Sequence, residues 1–291
     1  MAQGSFAEHF RRSMQNHPFG YALYEPAPFT RLQPGTVGYL DENQHWHPIL
    51  NLLDPEALER DGYPPVGELR PSDPDVRRFG PLLSTKTAKT NLDLEAGVGA
   101  AALGLPVDVS GAGKYSTSND FGAVLMCESD VVSEGFDLRD PFRVWMQQNA
   151  KSLFKKYPDI KKYGLCAVTW TYSSTNIHIT AWEGENNNTT IGFKLGMAGG
   201  GNVGPQMSWV RGQSSSGWSA WTDQKRVLFF TGIKMSKGLL GVWEKKSGPK
   251  PGHQKFTVKG DEGEDDFRVA LEPFGDDWDK IKATESAEAA L

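Results

Sequence analysis

Apolar residues recur along this chain with a period that changes from region to region. Near the start, Phe6, Phe10 and Met14 fall at i, i+4 and i+8, behind Ser5 as a helix cap and with Arg11 and Arg12 on the polar side. That spacing predicts a short amphipathic helix ending before Pro18. Between 21 and 81, ten prolines divide the chain into loops, with strand-sized pieces at Thr36–Leu40 and Trp46–Leu50. From Ala88 the period becomes two. Ala88, Thr90, Leu92, Leu94, Ala96, Val98, Ala100 and Ala102 share one side, which predicts a long strand with an uncharged face of small residues. Alternation resumes after Pro106 with Val107, Val109, Gly111, Gly113 and Tyr115, and Phe121–Val132 reads as another strand.

A helix follows, with Asp140 as its cap, Pro141 at the first position and Phe142, Trp145, Met146, Ala150 and Phe154 as its buried stripe. Its far end and the next loop are basic, through Lys151, Lys155, Lys156, Lys161 and Lys162. Leu165–Tyr172, Asn176–Trp182 and Thr189–Ala198 then alternate again. Turn signals between them predict antiparallel hairpins. Val227-Leu228-Phe229-Phe230, within Arg226–Ile233, reads as a strand buried on both sides. The expected fold class is α+β, a twisted, mainly antiparallel sheet with flanking helices.

Composition narrows the reading. The 291 residues are 38% hydrophobic and 11% aromatic, enough for a proper core, so a disordered chain is excluded. No apolar run reaches the length of a transmembrane helix. Glu8 and His9 stand where a signal peptide would be apolar, and Cys127 and Cys166 make neither a disulfide framework nor a metal pattern. A cytoplasmic chain is expected. Charge matters once divided: residues 257–291 hold eleven acids against four bases, a net of −7, while 1–256 sum to +2. Between body and tail lies the acid-free stretch from Lys245 to Lys255, rich in Lys, Pro and Gly. This predicts a body at 1–244, a linker at 245–256 and an acidic tail at 257–291, either simply solvated or autoinhibitory, masking a basic face until it is removed.

Familiar catalytic patterns are missing. His45-Trp46-His47 has no further ligand at useful spacing, Gly97-Val98-Gly99 lacks the third glycine of a phosphate loop, and no nucleophile elbow occurs. No enzyme activity, catalytic residue, metal, cofactor or nucleic-acid partner is expected. The alternating segments instead match the 9–11 residues a membrane-crossing strand needs. Four strands cannot close a barrel, so insertion needs many copies side by side. An ordinary half-buried soluble sheet gives the same alternation. Clustered Lys and Arg are worth roughly 1 kcal/mol each near an anionic leaflet.

Taken in order, several short segments resemble the pore-forming domain of gasdermins, in particular the small fungal gasdermin-like cell-death proteins. They are Pro28-Phe29-Thr30-Arg31-Leu32-Gln33-Pro34-Gly35-Thr36-Val37-Gly38-Tyr39, Trp46-His47-Pro48-Ile49, Gly104-Leu105-Pro106-Val107-Asp108-Val109, Lys114-Tyr115-Ser116, Asp120–Met126, Lys155–Ile160 and Arg211-Gly212-Gln213-Ser214. The resemblance spans roughly 5–243. It implies a gasdermin N-terminal-domain-like fold and an autoinhibited cytoplasmic protein. After activation, such a protein binds acidic phospholipid at the plasma membrane, oligomerises with copies of itself and refolds two hairpin regions into a transmembrane β-barrel, causing lytic cell death.

Carried onto this chain, the hairpins are about 88–132 and 165–198. The inserting residues are Leu92, Leu94, Val98, Val107, Val109, Val168, Trp170, Ile177, Ile179, Ile191, Phe193 and Leu195. The lipid-binding residues are Arg11, Arg12, Lys151, Lys155, Lys156, Lys161 and Lys162. Activation is expected from a protease acting near Lys245, Lys246, Lys250, Lys255 and Phe256, or from an allelic partner protein of the kind used in heterokaryon incompatibility. Two readings from other classes stay open: a soluble carbohydrate-binding β-protein using exposed Trp182, Trp209, Trp218 and Trp221, and a glycosidase-like enzyme.

Overall fold

A computed structural model describes residues 3–92, 98–103, 105, 109–184, 188–195, 207–214, 217–238, 252–260 and 265–275. In chain order these form α1 (Gln3–Ser13), β1 (Tyr21–Pro28), β2 (Thr36–Leu40), β3 (Trp46–Asn51), α2 (Pro55–Arg60), β4 (Asp75–Arg77), β5 (Leu82–Leu83), β6 (Thr87–Leu92) and α3 (Val98–Ala102). Next come β7 (Gly111–Thr117), β8 (Phe121–Cys127), β9 (Val131–Gly135), α4 (Asp140–Lys156), α5 (Ile160–Tyr163), β10 (Leu165–Ser174), β11 (Ile177–Glu183) and β12 (Asn188–Leu195). Last are β13 (Met207–Ser214), β14 (Gly217–Trp221), β15 (Arg226–Gly238), β16 (Gln254–Val258) and β17 (Phe267–Phe274). The fold is α+β, with mostly antiparallel sheets and few helices. It divides into two compact units, one of Met1–His17, Val76–Val132 and Ser173–Arg226, the other of Pro18–Asp75, Ser133–Tyr172 and Val227–Leu291.

In the second of these, a sheet runs in the order β16-β17-β15-β10-β2-β3, with β1 also on β15. The predicted stripe of α4 is buried with Leu50, Leu58, Ala167, Ile233 and Leu271 in one apolar cluster. Val227 to Phe230 are buried, as a strand covered on both faces requires. Asp54 caps α2 by accepting from the Ala57 N–H at 2.9 Å, with Pro55 at the first turn. Two expected caps differ. Ser5 lies inside α1, and Arg139, not Asp140, holds the cap position of α4. Asp140 instead accepts from Arg143 Nη1 at 2.7 Å, the i,i+3 pairing open to an acid already in the first turn.

The expected linker and tail also change. Lys255 and Phe256 belong to β16, which pairs with β17, and β17 pairs with β15. Val258, Val269 and Leu271 are buried in the α4 cluster, and the Phe154 and Phe267 rings meet edge-on at 5.4 Å. β16 and β17 are thus part of the body's sheet and contribute to its core. The charge count hid this because the acids cluster in sequence at 261–266 and from 276 onward, while apolar residues alternate within β16 and β17. Lys245, Lys246, Lys250 and residues 276–291 lie outside the described residues.

The first unit holds two four-stranded sheets, β14-β11-β8-β5 and β13-β12-β7-β6. The period-two segments do form strands here, with three corrections. The long strand predicted over 88–102 ends at Leu92, and Val98 opens α3. Val98-Gly99-Ala100-Ala101-Ala102 satisfies alternation trivially, because Ala fits either side, while Ala is the best helix former. Val109 lies outside any strand, against Leu105 and Ala112. Phe121–Val132 divides into β8 and β9. Leu94 and Val107 fall outside the described residues.

A folded-over ribbon as the candidate functional site

β6 pairs with β7, inside the first expected hairpin, and β12 with β13, but the other consecutive strands of this unit do not pair as hairpins. β10 belongs to the other unit's sheet, where Val168 packs against Leu23 and Phe230, so Val168 and Trp170 do not join Ile177, Ile179 and Ile191. β11 pairs instead with β8, and β12 with β7. The registers of these two pairings match. Cys127 faces Ile177 and Phe121 faces Glu183 in one sheet; Ser116 faces Asn188 and Gly111 faces Phe193 in the other. From Phe121 to Ser116 one chain moves back five residues, and from Glu183 to Asn188 the other moves forward five. At the corner the Gly184 N–H donates to the Asp120 carbonyl at 2.7 Å. Gly184 sits at φ 93°, a conformation costly for other residues. Residues 111–127, paired with 177–183 in one sheet and with 188–193 in the other, therefore form one bent antiparallel ribbon with the same register on both sides of the bend.

The outer strands are not in step. Leu83 faces Val124 and Thr87 faces Thr117, so the chain on that side moves four residues while the ribbon moves seven. On the other side, Ala181 faces Gly217 and Thr189 faces Ser214, eight residues against three. The sheet as a whole is four strands wide and folded double, with only its central pair unslipped.

Burial shows how the fold is filled. Tyr115, Val124, Met126, Trp182 and Ile191 form one cluster from both sheets, with Leu83 and Trp218 against it. Burial pushes the Tyr115 phenol up to about 12. Trp182 pairs with Gly122, and a Cβ added there would overlap the indole. With 2% exposure, Trp182 is not available to stack on a sugar, and Trp218 and Trp221 are half-buried. Gly122 was the signal: a glycine in an apolar strand marks close approach.

The residues between those of the cluster point outward, and they are apolar too: Phe121, Ala123 and Leu125 on β8, Ile177, Ile179 and Ala181 on β11, all buried. α1 covers this face, with Phe6 edge-on to Phe121 at 5.1 Å and Ala7, Phe10 and Met14 buried. On the other sheet, Leu105 and Val109 lie where a side chain at Gly192 would be, beside Ala112.

Four of the basic candidates, Arg11, Arg12, Lys156 and Lys162, are held by acids. Arg11 donates to Glu8 at 2.6 and 2.8 Å and Arg12 at 2.7 Å, and these bonds, Arg11 first, keep the Glu8 carboxyl below the usual carboxylate range. In the other unit Lys156 Nζ meets Asp61 at 2.9 Å, a bond that raises the lysine. Lys162 donates to the Tyr163 hydroxyl at 2.7 Å and lies 3.5 Å from Glu42; the Tyr163 bond leads in raising it. Lys151 donates to the Gly260 carbonyl at 3.4 Å, and Lys155 and Lys161 are exposed. Lys151, Lys155 and Lys156 share the end of α4, and Lys161 and Lys162 lie on α5; Arg11 and Arg12 belong to the other unit. Sequence reasoning placed these bases but missed the acids of Lys156 and Lys162, because Asp61 and Glu42 are about a hundred residues away from them in the chain.

His47 Nε2 and His45 Nδ1 lie 2.9 and 3.7 Å from Asp41. Among the described residues no helix is long and apolar enough to cross a membrane, which says nothing of crossing by strands. No protein-family model matches the chain, and comparison with curated proteins finds no match.

Proposed function

We propose that this protein is a pore-former of the gasdermin kind, which rests in the cytoplasm and permeabilises acidic phospholipid membranes by straightening its bent ribbon and assembling copies edge to edge. The unbroken register through the corner is the observation that carries this. Straightening then needs no re-pairing of the central strands, only loss of the bend and of the cluster inside it. Each limb, 111–127 and 177–193, exceeds the 9–11 residues that span a bilayer.

The side-chain pattern supports the same reading. Residues aimed between the layers on one sheet and those aimed outward on the other share a face once the ribbon is straight. That face carries Tyr115, Phe121, Ala123 and Leu125 with Ile177, Ile179, Ala181 and Ile191. The opposite face carries Lys114, Ser116 and Asp120 with His178, Thr180 and Thr190, and also the bulky Val124, Met126 and Trp182. A continuous apolar face toward lipid is what a barrel wall needs, and the second face, of mixed character, carries the charged and hydroxyl groups toward water. Straightened edges need partners, which copies of the same chain supply.

The test is dye release from vesicles with and without phosphatidylserine, using the intact chain and the chain nicked by protease at 245–253. Release confined to acidic vesicles and raised by nicking is expected. No release from either form overturns the reading. Changing Lys151, Lys155, Lys156, Lys161 and Lys162 together to Glu is expected to abolish binding to acidic vesicles, measured by co-flotation. A Tyr115→Cys/Val124→Cys pair, drawn from the cluster between the layers, should block release when oxidised and restore it when reduced.

A further inference from the structure

Two kinds of contact hold α1. Its apolar side chains lie on β8, and the residues at its C-terminal end grip the neighbouring outer strand. The Ser13 carbonyl accepts from the Thr85 N–H at 2.7 Å and from the Thr85 hydroxyl at 3.0 Å. Asn16 Nδ2 donates to the Leu83 carbonyl at 3.1 Å, and His17 Nε2 lies 2.8 Å from the same oxygen. Leu83 ends β5, and Thr85 lies in the corner that leads to β6. One short segment therefore covers the outward apolar face of the ribbon and pins the bend beside it.

We propose that α1 is the latch of the folded ribbon and that an acidic phospholipid leaflet opens it by taking up the helix. This rests on the membrane reading above and adds the order of events to it. Phe6, Ala7, Phe10 and Met14 cannot lie on Phe121 and among acyl chains at once, so lipid uptake of α1 and exposure of the β8 face are a single step. The leaflet can shift the equilibrium because it binds only the released helix. In water the release is unfavourable twice over: it bares the apolar face of β8, and a free helix of α1's eleven residues is marginal by itself. Arg11 and Arg12, on the polar side, supply the charge that selects an acidic surface once they exchange Glu8 for phosphate.

The full chain carrying Ser13→Cys and Thr85→Cys tests this, since the hydrogen-bonded backbones of 13 and 85 lie close enough to be bridged. Deuterium uptake in 121–127 and 177–183 is followed on phosphatidylserine vesicles, with and without reductant. Insertion of α1 is read in parallel from quenching of Phe6→Trp by brominated lipid. Reduced protein is expected to show quenching together with several-fold faster uptake in both strands, and oxidised protein neither. Faster uptake in the oxidised form, or quenching with unchanged uptake, overturns the latch, as does an absence of quenching in the reduced form. If latch opening is seen without any dye release, the latch stands and the pore reading falls.

Discussion

The two units use similar apolar material in opposite ways. In the second, α4 lays one stripe onto a broad sheet and is buried in one large cluster, with a further cluster around Leu23, Val168 and Phe230. In the first, the strands are apolar on both faces. One face is hidden by bending the ribbon on itself, the other by α1 on one layer and by Leu103, Leu105 and Val109 on the other. The first solution can be undone only by unfolding. The second can be undone by exchanging covers while the central backbone pairs stay intact. The proposed pore-former would need both, a body that persists and a sheet whose burial is conditional.

Variants can sharpen this contrast, beginning with the largest effect. Phe154→Ala in the fixed core removes a side chain with 2% exposure, packed on Phe267, and should cost about 3–5 kcal/mol in denaturant unfolding. A loss under 1 kcal/mol would mean that α4 is not the anchor. Gly122→Val in the bent ribbon places a branched side chain into the Trp182 indole and is expected to cost about 1–3 kcal/mol. Combining it with Trp182→Leu should recover part of that loss; additive losses would argue against the packing between the layers.

Acidification should weaken the latch without touching the core. Burial, partly offset by the Leu83 bond, holds the His17 imidazole below its ordinary value. A histidine depressed in the folded state favours folding in its neutral form, so its contribution is complete above the usual value near 6.5 and is lost as pH falls below it. Exchange protection of α1 is expected to drop between pH 7.5 and 5.5, and to drop less in His17→Gln; equal slopes would remove His17 from the effect. The smallest change is expected from Glu8→Gln. Its partly exposed pairs with Arg11 and Arg12 should contribute less than about 1 kcal/mol to stability. Affinity for phosphatidylserine vesicles should nevertheless rise, and unchanged affinity in flotation would show that Glu8 does not restrain the arginines.

Much of this was legible in the sequence where local physics suffices. The stripe on α4, the doubly buried Val227–Phe230 and the strands around Ile177–Ala181 follow from spacing, because a side chain's direction repeats every 3.6 residues on a helix and every two on a strand. The same rule failed at Val98–Ala102, where alanine satisfies both periods, and at Phe256–Leu271, where scattered acids outweighed the alternation in a charge count.

The amino-acid order by itself determined which segments could be strand or helix and which of their sides were apolar. Only the tertiary structure decided which strands became neighbours, that β11 and β12 lie along β8 and β7 and that one register runs through the bend. Alternation tells a strand which way to face but carries no address for its partner. That choice is made by long-range packing, here of Trp182 on Gly122 and α1 on Phe121, between residues that no local window brings together.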